Sequence, residues 1–187
     1  AKFFIYSGVA MIALLPIAIS FLKPYQKSRI LTFLNPERDP LGAGYQIIQS
    51  KIAIGSGGLF GKGFLNGSQS YLDYLPEKHT DFIFTLFSEE FGFFGSLFIL
   101  LLYALIISRI VRIGNMTRSN FGKLYCYSFA TAFFIYVVVN MMMVLGLLPI
   151  VGSPLPIMSY GGSSMLAIMF GLGIVMSCKI YKDVPVN

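Results

Sequence analysis

Charged residues are scarce in this sequence of 187 residues: Asp, Glu, Lys and Arg together make up only 12%. Hydrophobic residues make up 56%, and the mean hydropathy is +0.73. A soluble globular domain carries about 25% charged residues. The composition therefore excludes an ordinary soluble domain and predicts an integral membrane protein.

Four stretches lack charged residues altogether and are long enough to cross a hydrocarbon core, which takes roughly 20 apolar residues. They predict membrane spans at about residues 3–22, 91–111, 124–148 and 157–178. The second span extends beyond its charge-free part, which ends at Ser108. The predicted fold class is an all-α integral membrane protein, a polytopic helical bundle with four transmembrane helices here. Because the chain starts at the mouth of a span, we expect a fragment whose N-terminal spans are missing.

The distribution of basic residues predicts the orientation, because short cytoplasmic loops are enriched in Lys and Arg. The end of the second span and the connection after it carry four basic residues and no acid: Arg109, Arg112, Arg118 and Lys123. This connection and the tail with Lys179 and Lys182 are therefore assigned to the cytoplasm. Residues 23–90 hold seven basic and seven acidic residues and are assigned to the outside. The net charge of +6 thus reflects membrane insertion, and nucleic acid is not an expected partner.

Cysteine is rare too, with only Cys126 and Cys178. The pair lacks the spacing of metal ligands. Both residues lie near predicted cytoplasmic helix ends, where thiols stay reduced. We interpret both as packing residues.

The predicted extracytoplasmic loop, about residues 23–90, is far longer than an ordinary connection, and such loops are usually functional or disordered. Its apolar content and balanced charge disfavour disorder. Two pieces, KPYQKSRILTFLNP and GYQIIQSKIAIG, combine apolar with basic and amide side chains. They predict interfacial helices in contact with membrane lipids, and packing against the helix bundle stays open as an alternative.

The glycine-rich stretch GSGGLFGKGFLNGSQS, residues 55–70, is superficially similar to a phosphate-binding loop. The strict patterns fail, because a Walker loop needs Ser or Thr where Gly63 stands and the dinucleotide pattern needs glycine where Phe60 stands. A tight irregular connection is therefore favoured. Three polar neighbours could still face an anionic group: Lys51, Lys62 and Gln69.

The stretch LPEKHTDFIF, residues 75–84, places ionisable side chains directly ahead of an apolar run. No proline occurs from Asp81 to Arg112, so one continuous helix would be about 48 Å long, which exceeds the roughly 30 Å core. Residues 81–90 are therefore expected in the outer headgroup layer, or the helix bends at Gly92. Asp81 then either caps the helix start or has a chemical role at the membrane surface, and the residues alone leave both open.

The segment LLPIVGSPLPIMSYGGSS, residues 147–164, contains three prolines and is not expected to form a regular helix. Irregular backbone within a bilayer is tolerated only where protein or a watery cavity covers it. Ser159 and Tyr160 are polar side chains of this segment. Asn140 in the third span indicates either a polar interior or a satisfied contact between helices.

Four strings occur in the order DPLGAGYQIIQSKIAIGSGGLFGKG, LPEKHTDFIF, SEEFGFFG and GSPLPIMSYGGSS. On these strings the sequence resembles the SEDS family (shape, elongation, division and sporulation). Within that family, SKIAIGSGG and GSPLP favour the rod-shape branch over the division branch. The family's fold has ten spans, so the resemblance implies that residues 1–187 are the C-terminal part of a single SEDS membrane domain.

The resemblance implies a peptidoglycan glycosyltransferase that polymerises lipid II during cell-wall elongation, at the extracytoplasmic face of the bacterial inner membrane. The implied partners are a class B penicillin-binding protein, which is the transpeptidase, and other proteins of the elongation complex. The family's essential acidic residue corresponds to Asp81, which would act as the base of an inverting reaction or bind a divalent cation, Mg or Mn. Substrate contacts are expected at Lys51, Lys62, Gln69, Lys78, His79, Ser159 and Tyr160.

Two rival functions remain, a lipid II flippase or transporter and a non-catalytic scaffold of the elongation complex. A transporter should carry ionisable residues near the middle of the bilayer, whereas here the charge gathers at the predicted outer face. This distribution favours the enzyme. A scaffold would tolerate replacement of Asp81.

Overall fold

The structure is a computed structural model that describes residues 23–39, 42–67 and 79–183, and of Arg38 only the backbone. The predicted first span, residues 3–22, and the candidate residues Gln69 and Lys78 lie outside the described residues. Within these ranges the chain forms five α-helices and one 3-10 helix, with no strand. The all-helical prediction is confirmed for this part of the chain.

The helices are α1 (Pro24–Leu34), a 3-10 helix (Pro36–Arg38), α2 (Ala43–Ser56), α3 (Ile83–Met116), α4 (Asn120–Val144) and α5 (Gly162–Ile180). Of these, α3, α4 and α5 are long and apolar enough to cross a membrane. Helix α5 begins at Gly162 and not at the predicted position 157, because three prolines keep the preceding segment irregular.

The chain divides into two compact units, Ala1–Tyr45 and Gln46–Asn187. In the first, Pro24 opens α1, where its missing N–H costs nothing. The apolar side chains of Tyr25, Leu31 and Leu34 are exposed. A helix is therefore present where one was predicted, and its location in the membrane interface stays a prediction.

The second unit is built on α3, α4 and α5, which pack against one another. One core cluster joins all three helices and consists of Ile110, Ile113, Cys126, Ala130 and Val175. Cys178 packs against this cluster, and both cysteines are free thiols. The interpretation of the cysteines as packing residues is confirmed.

Helix α2, from Gln46 onward, packs against the bundle through one face. Ile47 and Ala53 on this face are buried. Ser50 Oγ donates to the carbonyl oxygen of Val144 at 2.7 Å and lies 2.7 Å from Thr85 Oγ1. The segment therefore packs against the bundle, and its contact with membrane lipids stays a prediction.

Helix α3 bends at Gly92, which is one of the two outcomes expected from its excess length. Gly92 has φ 66° and ψ −160°, a combination that is essentially restricted to glycine. The bend frees backbone groups on both sides. Phe93 N–H donates to Gly58 O at 2.9 Å, and Lys62 N–H donates to Glu89 O at 3.0 Å.

The glycine-rich loop approaches this bend so closely that side chains would not fit. A Cβ atom at Gly57 would lie 2.2 Å from Ser88 O, and one at Gly61 would lie 2.0 Å from Glu90 O. Real Cβ contacts are essentially never shorter than 3.0 Å. The loop is thus a tight irregular connection whose N–H groups donate hydrogen bonds to carbonyl oxygens of the bent helix. This agrees with the favoured interpretation of the sequence.

Candidate active site

The segment His79-Thr80-Asp81 lies just before α3, and each of its three backbone carbonyls accepts a hydrogen bond. Tyr160 N–H donates to His79 O at 2.9 Å. Ser159 Oγ donates to Thr80 O at 2.6 Å. Asn140 Nδ2 donates to Asp81 O at 2.9 Å. Helix α4 and the segment before α5 thus hold three successive peptide groups.

The irregular segment between α4 and α5 is itself fixed from several sides. Tyr103 OH, on α3, donates to Pro156 O at 2.6 Å. Asn140 Nδ2 donates to Ser153 O at 2.7 Å, and Leu155 N–H donates to Ser159 Oγ at 2.7 Å. Protein groups therefore satisfy much of the irregular backbone, which is the condition for such structure at membrane depth.

The Asp81 side chain is partly buried and lies against Gly152. Gly152 has φ +78°, and a Cβ atom built there would be 3.3 Å from Asp81 Oδ2. The absence of a side chain at this position therefore leaves space next to the carboxylate. A cavity of about 540 Å³ lies beside the segment, lined by His79, Ile83, Ile157, Met158, Ser159, Tyr160 and Met165.

The structure brings some predicted site residues together and separates others. His79 and Tyr160 are exposed and meet through their backbones next to Asp81. Ser159, in contrast, is only 5% exposed, and its hydroxyl is engaged by protein groups.

The two described lysines of the predicted site lie in different surroundings. Lys51 is exposed, and its Nζ extends over the turn after α4, where a Cβ atom at Gly146 would be 2.8 Å away. Lys62 Nζ forms an ion pair with Glu89 at 2.7 Å. Lys51 is therefore available to a charged ligand, whereas Lys62 has a partner within the protein.

Sequence reasoning missed the role of Glu89, which is 0% exposed. It was assigned with residues 81–90 to the headgroup layer or to the region of the bend. The signal in the sequence was an acidic residue next to a long apolar run. Such a residue, if buried, needs a partner of opposite charge. The glycine loop supplies that partner.

A ligand for a divalent cation is the second role expected for Asp81. Residues 23–39, 42–67 and 79–183 contain no group of three His, Cys, Asp or Glu side chains that could hold a metal ion. The residues described here thus give Asp81 no set of protein co-ligands.

The structure is that of a polytopic helical membrane protein. It combines long apolar helices with an irregular segment between α4 and α5, and the partly buried carboxylate of Asp81 lies against that segment. Residues 1–183 match the family model of the FtsW, RodA and SpoVE cell cycle proteins. The chain belongs to this family, which is the SEDS family expected from the sequence.

Similar proteins include the peptidoglycan glycosyltransferase MrdB of Escherichia coli K12, which is 51% identical over 179 residues, or 94% of this chain and 48% of MrdB. The peptidoglycan glycosyltransferase RodA of Treponema pallidum is 47% identical over 161 residues, 86% of this chain and 37% of RodA. The chain spans about half or less of the length of these relatives.

A chain in a solved structure of a peptidoglycan synthase complex, described as coordinating polymerization and crosslinking, has a similar fold. The TM-score is 0.73 at 37% sequence identity, and the match covers 97% of this chain and 50% of that one.

Proposed function

We propose that the full-length protein is a peptidoglycan glycosyltransferase that polymerises lipid II into glycan strands during cell-wall elongation and rod-shape maintenance. The observation that carries this proposal is the Asp81 carboxylate, which lies beside Gly152 on a segment whose three carbonyls are all held by hydrogen bonds. Relatives that cover most of this chain are named peptidoglycan glycosyltransferases.

The proposed reaction needs one base. Asp81 takes the proton from the 4-hydroxyl group of the acceptor sugar while that oxygen attacks the anomeric carbon of the donor. The bond from the anomeric carbon to the pyrophosphate oxygen breaks, and the polyprenyl pyrophosphate leaves with the electron pair. Attack opposite the leaving group inverts the anomeric centre. Exposed Lys51 is the candidate for placing positive charge near the leaving pyrophosphate.

The proposed location is the bacterial inner membrane, with the site at its extracytoplasmic face. A donor anchored by its lipid presents its pyrophosphate and sugar at headgroup height, and Asp81 stands next to the N-terminal end of a candidate membrane-spanning helix. The carboxylate would therefore meet the polar part of the lipid and not its chain. The orientation rests on the distribution of basic residues.

A class B penicillin-binding protein is the proposed partner and would supply the transpeptidase. The similar fold found in a peptidoglycan synthase complex supports a partner of this kind. Only Thr117, Arg118 and Ser119 separate α3 from α4, which is too short for an interface of the usual size of about 800 Å² per partner. The membrane-spanning helices and the outer loop are therefore the proposed contact surfaces.

The test is a polymerisation assay on labelled lipid II with the purified full-length protein and its partner. Asp81→Asn keeps the size of the side chain and removes the base, so turnover should fall at least about 100-fold. Melting temperature and partner binding should stay near wild type. Asp183→Asn, which changes an exposed acid in the tail, is the control and should retain activity.

Three outcomes separate the alternatives. Rapid polymerisation by a well-folded Asp81→Asn protein would contradict the catalytic assignment and favour the role of a helix cap. Lipid II translocation without polymer, by the wild-type complex, would favour a flippase. If Asp81 acts through Mg or Mn, a chelator should abolish activity and either ion should restore it.

A further inference from the structure

We infer that Ser159 and Asn140 are positioning residues, which fix the backbone of Asp81 so that its carboxylate points to one place. The inference rests on the proposed function, because it assigns these residues a role in the same reaction. It also replaces the sequence-based expectation that Ser159 contacts substrate.

Burial and hydrogen bonding separate Ser159 from a substrate-binding role. Its side chain is 5% exposed. The hydroxyl donates to Thr80 O at 2.6 Å and accepts from Leu155 N–H at 2.7 Å. A serine hydroxyl can donate only one hydrogen bond, and that of Ser159 goes to the carbonyl oxygen of Thr80. Ser159 therefore acts on the segment that carries Asp81.

Asn140 makes the equivalent connection from α4. It is fully buried, and its Nδ2 donates to Asp81 O at 2.9 Å and to Ser153 O at 2.7 Å. Both partners are carbonyl oxygens, which only accept, so the amide nitrogen must face them. One side chain thereby sets the distance between Asp81 and the segment that includes Gly152.

The bonds matter because His79-Thr80-Asp81 precedes the first turn of α3, which begins at Ile83. The carbonyls of this segment point to α4 and the irregular segment, so those elements set its peptide planes. A displaced plane would rotate the Cα–Cβ bond of Asp81. Misplacement of a reacting group by about 1 Å can cost roughly 100-fold in rate.

The chain offers a matched pair of buried serines for the test. Ser50 resembles Ser159 in that its hydroxyl donates to a carbonyl oxygen, that of Val144, and contacts a second polar group, Thr85 Oγ1. Ser50 joins α2 to α3 and α4 and makes no described bond to residues 79–81. Alanine at either position removes one buried hydroxyl, so a purely structural effect should be similar in both.

The experiment compares Ser159→Ala with Ser50→Ala in the full-length protein with its partner. The melting temperature, kcat and KM for lipid II are measured for each. We expect similar falls in melting temperature, and a fall in kcat of roughly 10- to 100-fold for Ser159→Ala alone, with KM within about twofold of wild type. Equal kcat values for the two variants would overturn the inference.

Asn140→Leu is the second variant, since leucine is of similar size and has no amide to donate. If it folds, its kcat should fall at least as far as that of Ser159→Ala, because it removes two bonds. Normal kcat in a folded Asn140→Leu protein would also overturn the inference. An active Asp81→Asn protein would contradict the proposed function itself. If Asp81→Asn is inactive but Ser159→Ala and Ser50→Ala have equal kcat values, only the positioning role is contradicted.

Discussion

Lys62 Nζ lies 2.7 Å from Oε1 of Glu89, a carboxylate with no solvent exposure, while the lysine side chain is 29% exposed. The pair connects the glycine-rich loop to α3, three residues before the bend at Gly92. Removing one partner of a buried ion pair typically costs about 3–5 kcal/mol, because the other charge stays buried without compensation. We expect Lys62→Met to lower the free energy of unfolding by about 3 kcal/mol, measured by chemical unfolding in detergent.

The control for this prediction is the double variant Lys62→Met with Glu89→Gln. It removes both charges, so part of the lost stability should return. The sequence-based alternative is that Lys62 binds substrate. A Lys62→Met protein that unfolds like the wild type but has a raised KM for lipid II would favour that alternative and contradict the structural role.

Gly92 should not tolerate a side chain. Its φ and ψ of 66° and −160° are essentially closed to other residues, and a Cβ atom there would lie 2.3 Å from Gly61 N. We expect Gly92→Ala to cost more than about 2 kcal/mol, from strain of about 1–3 kcal/mol and the backbone clash, as measured by thermal unfolding.

Gly173→Ala is the matched control. Gly173 lies inside α5, is exposed, and a Cβ atom there would meet nothing within 4 Å. Alanine favours a helix over glycine by up to about 1 kcal/mol, so this variant should be as stable as wild type or slightly more stable. Equal stability of the two variants would contradict the role assigned to the bend.

Local patterns predicted much of this fold. The length of the apolar run made a bend at Gly92 one of two expected outcomes, and three prolines required irregular structure before α5. Local patterns did not predict which distant groups would pair: Asn140 and Asp81 are 59 positions apart, and Lys62 and Glu89 are 27 apart. Such pairs depend on how whole helices pack. The sequence therefore indicated Asp81 but not the residues that hold it.

The orientation predicted from the basic residues can be tested with single engineered thiols. Asn66 and Asn120 are both exposed in the structure, which makes them better probes than Ser119, whose buried hydroxyl caps α4. We expect a membrane-impermeant reagent, applied to cells whose outer membrane, if present, is permeabilised, to label Asn66→Cys. Asn120→Cys should react only after lysis. The reverse pattern would contradict the orientation and the proposed extracytoplasmic site.

Gly152→Ala tests whether the space beside the Asp81 carboxylate is needed. The new methyl group would lie 3.3 Å from Asp81 Oδ2, so the carboxylate must shift or lose the space in which an acceptor hydroxyl would approach. We expect polymerisation to fall roughly 10- to 100-fold, measured with labelled lipid II. Activity is compared at equal amounts of folded protein.

Gly58→Ala separates this effect from backbone strain. Gly58 also has a positive φ, +56° against +78° for Gly152, but a Cβ atom there would meet nothing within 4 Å. Both variants should lose about 1–2 kcal/mol of stability, the usual cost of a left-handed conformation for a residue with a side chain. Only Gly152→Ala should lose activity, because only its methyl group reaches Asp81. If polymerisation by Gly58→Ala falls as far as that by Gly152→Ala, backbone strain and not crowding of the Asp81 carboxylate explains the loss of activity.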